Sequence, residues 1–351
     1  MTNDLQMTYL YTILHGYPYR PLYDCSNKTV EEWYATGTVQ LPLGLYFLIT
    51  GVILEMLYCP CLAAMVQLKL LNNSCYKLMF FLGFLDMSSI FVNSIMTGYF
   101  AIEGTVFCTN PILLITLGAF GCSCWCASCL TCVLLALSRC ADLSESKFMK
   151  MCFKGNRVYF LIFITVLYLL FIMFFTTPAS FNSNYVSWFF NPMNGHEASS
   201  YYNIYHTINN IVVSISITLL YIYLCIKFYS KTNSAISKVG RFQKQKKEFL
   251  HELTTIIQYI ARLLSIQIFI QSFLICFINV IAAYIYVYMQ FFSPPKWVVV
   301  VGQIAWQLSS GFVCIIYLTI NGTIRGGVMR MIFPKKWMDQ TFGQTVNSQY
   351  V

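Results

Sequence analysis

The stretch GCSCWCASCLTC, Gly121–Cys132, sets five cysteines within eleven residues. Such density reads first as a metal or redox centre. Zinc needs its thiolates about 2.3 Å from one ion. On a helix Cys122, Cys126 and Cys129 share a face, yet the outer two stand about 10.5 Å apart along the axis. One ion reaches at most two of them, and none of the four histidines, His15, His196, His206 and His251, has a partner at metal spacing. The surroundings decide the matter, because the stretch lies in a run from Gly104 to Ser138 that carries no charge. That is a segment of bilayer length, and inside it cysteine serves as a small apolar packing residue. No metal and no cofactor is expected. Small side chains around Trp125 let neighbouring helices approach, with the indole turned toward a pocket.

The rest of the chain has the same character. Of 351 residues, 58% are hydrophobic and 10% charged, with a mean hydropathy of +0.62. A soluble domain carries far more charge. A hydrocarbon core about 30 Å thick takes roughly 20 apolar residues per helix, and seven runs meet that length: 41–66, 78–102, 110–137, 158–178, 203–226, 263–290 and 297–320. The expected fold is an all-α membrane protein, a seven-transmembrane helix bundle over 41–320. A tail of 1–40 precedes it, and an interfacial helix and tail occupy 321–351. Alternate connections hold 3 and 19 of the 22 basic residues. Basic loops stay cytoplasmic, so the N-terminus is expected outside and the C-terminus inside. The net charge of +9 is therefore a topology signal, and no nucleic-acid partner is expected. Residues 1–38 contain no apolar run of signal-peptide length, so no cleaved signal is expected.

This topology leaves two of the fifteen cysteines, Cys25 and Cys108, on the oxidising side. Two candidates allow one disulfide, which would tie the tail to the start of the third helix; two free thiols are the alternative. Of three N-x-[ST] sequons, at Asn27, Asn72 and Asn321, only Asn27 would meet the glycosylation machinery. A glycan at Asn72 would reverse the orientation.

Ionisable groups within spans are costly and turn inward. Asp86, with Asn93 seven residues on, reads as a polar seam with a conformational or ion-holding role, against a neutral packing role. For Glu55 a carboxyl bonded to a neighbouring helix is as good a reading. Gln271, Asn279, Gln303 and Trp306, with Trp125, are the pocket candidates; Gln303 and Trp306, three apart, share a face. The last run from Trp297 to Ile320 has no lysine, which argues against a retinal Schiff base. On the basic side, Arg139 ends the third run. The spacing of apolar residues 249, 253, 256, 260 and 263 predicts a helical extension of the sixth span with a basic face that includes Lys244 and Lys247. TIRGGVMRMIFPKKWM, with Arg325, suits a short interfacial helix stopped near Pro334.

No nucleophile–base pairing, Walker loop or HExxH motif occurs, so an enzyme is not expected. The plan also lacks the two similar halves of a transporter. A receptor with an outer pocket and a basic inner face fits. YDCSNKTVEEW, LYCPCLAAM, NNSCYKLMFFLGFLDM, EGTVFCTNP, WCASC with LALSRCADL, YIYVYMQFFSPP, and WQLSSG with YLTINGTIR run in order from about residue 23 to 325. In these the chain resembles the nematode chemoreceptors of serpentine receptor class T, a G-protein-coupled family. The resemblance implies a plasma-membrane sensory receptor, in sensory neurons, that binds an external small molecule and activates a heterotrimeric G protein. By position Arg139 matches the arginine that ends the third helix in this superfamily. Ser138 stands where an acid is usual, with Asp142 as a substitute, and YLTINGTIR lacks the proline of the rhodopsin-like motif. Lys244, Lys247 and Arg325 join Arg139 as coupling candidates. The aromatic, nearly uncharged tail and fourth loop favour a small neutral or weakly polar ligand. A seven-helix ligand-gated channel of the insect odorant receptor type is the alternative.

Overall fold

The computed structural model describes residues 8–16, 21–144, 146–242, 270–289, 291–292 and 294–333. Seven helices in it are long and apolar enough to cross a membrane. They are α1 (Leu41–Gln67), α2 (Ser74–Glu103), α3 (Pro111–Leu143), α4 (Arg157–Phe175), α5 (Ile204–Phe242), α6 (Ile270–Met289) and α7 (Lys296–Thr319). A shorter α8 (Gly322–Ile332) follows, stopping where the sequence places its end. Lys244, Lys247 and the expected extension of the sixth span lie outside the described residues.

The helix ends carry local signals. Pro111 sits at the start of α3, where a missing N–H is harmless, and the Asn110 side chain caps it by accepting from the Leu113 amide. Asn73 caps α2 and Asn321 caps α8 in the same manner, satisfying amides that no helical turn reaches.

α3 is the central pillar: 72% of its membrane window is buried, against 17% for α4. All five cysteines of the opening stretch are buried within it. They pack the helix as small apolar residues while α2, α4 and α5 close around it. α4 instead turns Phe160, Phe163, Leu167 and Phe171 outward, the apolar belt that lipid covers. Within α2, residues Phe91–Met96 form a π-helical turn, a widening often found where a helix serves a site. It carries Asn93 and Ser94, both fully buried.

One end of the bundle, here the mouth, holds the tail, the 104–110 turn and the long connection between α4 and α5. That connection folds into an antiparallel hairpin of β1 (Ser180–Asn182) and β2 (Ser187–Phe189), with Phe181 opposite Trp188. The apolar count of the sequence did not foresee it. Trp188 pins the hairpin to α2 by donating from Nε1 to Thr97 Oγ1 at 2.8 Å. Gly118 lets it approach α3: a Cβ at that position would fall on the Ala179 carbonyl.

The tail is strapped across the same end. Cys25 and Cys108 form a disulfide with Cα atoms 5.5 Å apart. Trp33 Nε1 donates to the Cys25 carbonyl at 3.0 Å, and Thr29 and Glu32 make a capping box at the head of the Val30–Thr36 helix. The Asn194 amide donates to the carbonyls of Leu22 (2.9 Å) and Asp24 (3.2 Å). The Tyr201 hydroxyl donates to the same Leu22 carbonyl. Tail and hairpin therefore form one cover. Asn27 is exposed on it.

Candidate ligand-binding site

Beneath the cover lies a cavity of about 820 Å³. Its floor and walls are Trp125 and Cys122 from α3, His206 from α5, Tyr286 and Met289 from α6, and Trp306 and Val299 from α7. Its lid is the hairpin with its flanks, including Tyr185, Trp188, Phe190 and Tyr202. Tyr286 stands at the centre of an aromatic cluster, with ring centroids 6.0 Å from Trp125, 6.0 Å from His206 and 6.3 Å from Trp306. The size and apolar lining suit a small-molecule site.

Polar groups below the lid hold the rings in place. Trp125 Nε1 donates to Asn210 Oδ1 at 2.9 Å. The Asn210 amide nitrogen lies 3.4 Å from His206 Nε2. An amide nitrogen only donates, so His206 Nε2 accepts and the ring proton resides on Nδ1. Ser187 donates to Gln303 Oε1 at 3.2 Å, and Gln303 Nε2 donates to the Asn93 carbonyl at 2.8 Å.

Of the five pocket candidates taken from the sequence, Trp125 and Trp306 line the cavity, and three do not. Gln271 lies at the far end of α6, where its Oε1 accepts from Asn321 at 3.0 Å. It is fifteen residues, or about 22 Å of helical rise, from Tyr286. Asn279 turns its amide back to the Ile275 carbonyl at 3.1 Å. Gln303 shares a face with Trp306 but is drawn onto α2 and stands behind the wall as a brace for Ser187. A polar residue in a span marks an inward direction, not a depth. Tyr286, His206 and Trp188 were missed because ring residues abound in this chain and only tertiary convergence selects among them.

A polar seam runs below the cavity between α1, α2 and α7. Asp86, 2% exposed, is hydrogen-bonded through Oδ2 to the Tyr58 hydroxyl at 3.0 Å, which also meets the Ser310 carbonyl at 2.5 Å. Asn93 Nδ2 donates to the Trp306 carbonyl at 3.3 Å. Gln307 Nε2 donates to Ser94 Oγ (2.5 Å) and Thr50 Oγ1 (2.7 Å). The backbone of a cavity residue is thus bonded into the seam. Glu55 is half-buried and bonded to no described residue, in place of the interhelical bond considered from the sequence; α1 turns it partly outward.

At the end opposite the mouth, the Arg139 side chain is 15% exposed. It donates to Ser272 Oγ of α6 at 3.3 Å, to Asp142 Oδ2 at 3.2 Å, and to the Cys75 sulfur of α2. Arg325 is exposed on α8 and donates to the Thr319 carbonyl at the end of α7.

Seven membrane helices around a lidded aromatic cavity define the class, a seven-transmembrane receptor bundle. Squid rhodopsin shares the fold, with a TM-score of 0.61 at 14% identity over 91% of this chain and 93% of that one. The model of the serpentine type 7TM GPCR chemoreceptor Srt family matches residues 7–341, and the chain belongs to that family. Serpentine receptor class T-55 of Caenorhabditis elegans is 26% identical over 313 residues, which are 88% of this chain and 80% of that protein.

Proposed function

We propose that this membrane receptor is a chemosensory receptor of the plasma membrane, with its mouth outside. It binds a small external molecule in the 820 Å³ cavity and activates a heterotrimeric G protein at the opposite end. The observation that carries the reading is the placement of a lidded cavity at one end, a buried polar seam below it, and an arginine joining three helices at the other end. Trp306 lines the cavity and its backbone is bonded to Asn93; deeper in the same seam Tyr58 bonds Asp86 and the carbonyl of Ser310. Arg139 then bonds α3 to α6 and α2 where a partner would dock. A ligand that favours one arrangement of α6 and α7 would be coupled, reciprocally, to a partner favouring the same one. The distribution of basic residues supports the orientation, and the family supports expression in sensory neurons.

The test is a screen of neutral small molecules in cells that report G-protein activation. An active compound should lose at least about tenfold of its signal with Arg139→Ala, and undiminished signalling would overturn the coupling role. Ligand-evoked current in membranes stripped of G proteins would favour the channel reading instead.

A further inference from the structure

Two residues that line the cavity, Trp306 and Tyr286, each carry a donor with no acceptor among the described residues. Trp306 Nε1 and the Tyr286 hydroxyl are buried and bonded to no described residue, although both residues face the same cavity. The other polar groups of the floor are engaged. Trp125 Nε1 is committed to Asn210, and Ser187 to Gln303. His206 accepts at Nε2, so its remaining ring nitrogen is a third donor. None of the described lining residues carries a carboxylate, an ammonium or a guanidinium.

We propose that the ligand is an uncharged molecule with an apolar, aromatic-sized body that presents a hydrogen-bond acceptor, a carbonyl or ring nitrogen, to Trp306 Nε1 and the Tyr286 hydroxyl. This rests on the reading of the cavity as the ligand site. The chemistry weighs against the charged alternatives. A cation would be welcomed by ring faces but would meet the positive end of the Trp306 N–H dipole with no carboxylate beside it. An anion would suit the donors, yet it would give up its hydration among aromatic walls with no countercharge. A hydrocarbon would leave both donors buried and unpaired, the costly outcome for a polar group. A neutral acceptor satisfies donors and walls together.

Three probes of one shape separate the possibilities. Benzophenone carries the carbonyl, 1,1-diphenylethylene replaces it by C=CH₂, and diphenylmethylammonium carries a charge. Their affinities for the full-length receptor in lipid nanodiscs, corrected for empty discs, are measured by equilibrium dialysis. Light-driven benzophenone labelling, mapped by mass spectrometry, reports where the probe sits. Benzophenone should bind about tenfold more tightly than 1,1-diphenylethylene and label Met289, Met193 or their neighbours. Tyr286→Phe, which removes one oxygen and keeps the ring, should lower benzophenone affinity several-fold and leave the hydrocarbon within twofold. Adding Trp306→Phe should erase the difference between the two probes. Equal affinities in the wild type, or tighter binding of the ammonium, would overturn the acceptor inference while cavity labelling left the site intact. Labelling spread over the lipid face and unchanged by the cavity-filling Cys122→Phe, or no binding by any probe, would overturn the site reading and this inference with it.

Discussion

At the residue scale the consequential groups are polar side chains placed where water does not reach. Tyr58 bridges Asp86 and the Ser310 carbonyl, so Tyr58→Phe leaves both buried groups without that partner. A loss of about 1–3 kcal/mol is expected for a buried group so orphaned. It should appear as a lower midpoint in thermal unfolding of the purified receptor, and an unchanged midpoint would mean the seam contributes no stability. Trp125 offers a contrast within the cysteine-rich stretch. Its neighbours are packing residues, whereas its indole both lines the cavity and holds Asn210.

At the element scale the cover over the mouth is held by a disulfide, a tryptophan pin and backbone carbonyls. The disulfide closes a separation of 83 residues, and removing such a crosslink costs about 2–5 kcal/mol. Cys108→Ser should therefore lower the melting midpoint and raise hydrogen exchange in the 21–36 segment. Gly118→Val should displace the hairpin, because any Cβ there meets the Ala179 carbonyl. The expected readout is lost probe binding with the seven helices still formed by circular dichroism. Tyr201, buried under the tail, has its phenol pushed up to about 12. A raised folded-state value means that its tie to the tail is fully present below about pH 10 and lost as pH rises through about 12. The thermal unfolding midpoint should fall over that interval, and Tyr201→Phe, which lacks the tie at every pH, should show a smaller fall.

For the whole molecule the decisive question is which end faces out. If the mouth is external, Asn27 on the exposed cover receives a glycan. Glycosidase treatment of protein from intact cells should then increase its gel mobility, and Asn27→Gln should abolish the shift. A glycan found at Asn72 would place the other end outside.

Much of this plan can be read along the chain. The seven spans follow from apolar run length alone, since 1.5 Å of rise per residue against a fixed membrane thickness leaves little choice. The Cys25–Cys108 pairing follows once the topology leaves two candidates, and the cysteines of Gly121–Cys132 lose their appearance of chemistry once their segment is known to span. Depth and convergence are not legible in this way. Gln271, Asn279 and Gln303 look like pocket residues because all three are polar and point inward, yet each is satisfied elsewhere. Tyr286, His206 and Trp188 resemble many other rings in a chain with 17% aromatic residues. The linear sequence determined how many membrane-length helices the described residues hold and which are apolar, because those properties depend on neighbours in the chain. Only the tertiary structure decided the cavity, its hairpin lid and its two unpaired donors, because hydrogen-bond satisfaction and ring packing depend on groups brought together from α2, α3, α5, α6 and α7.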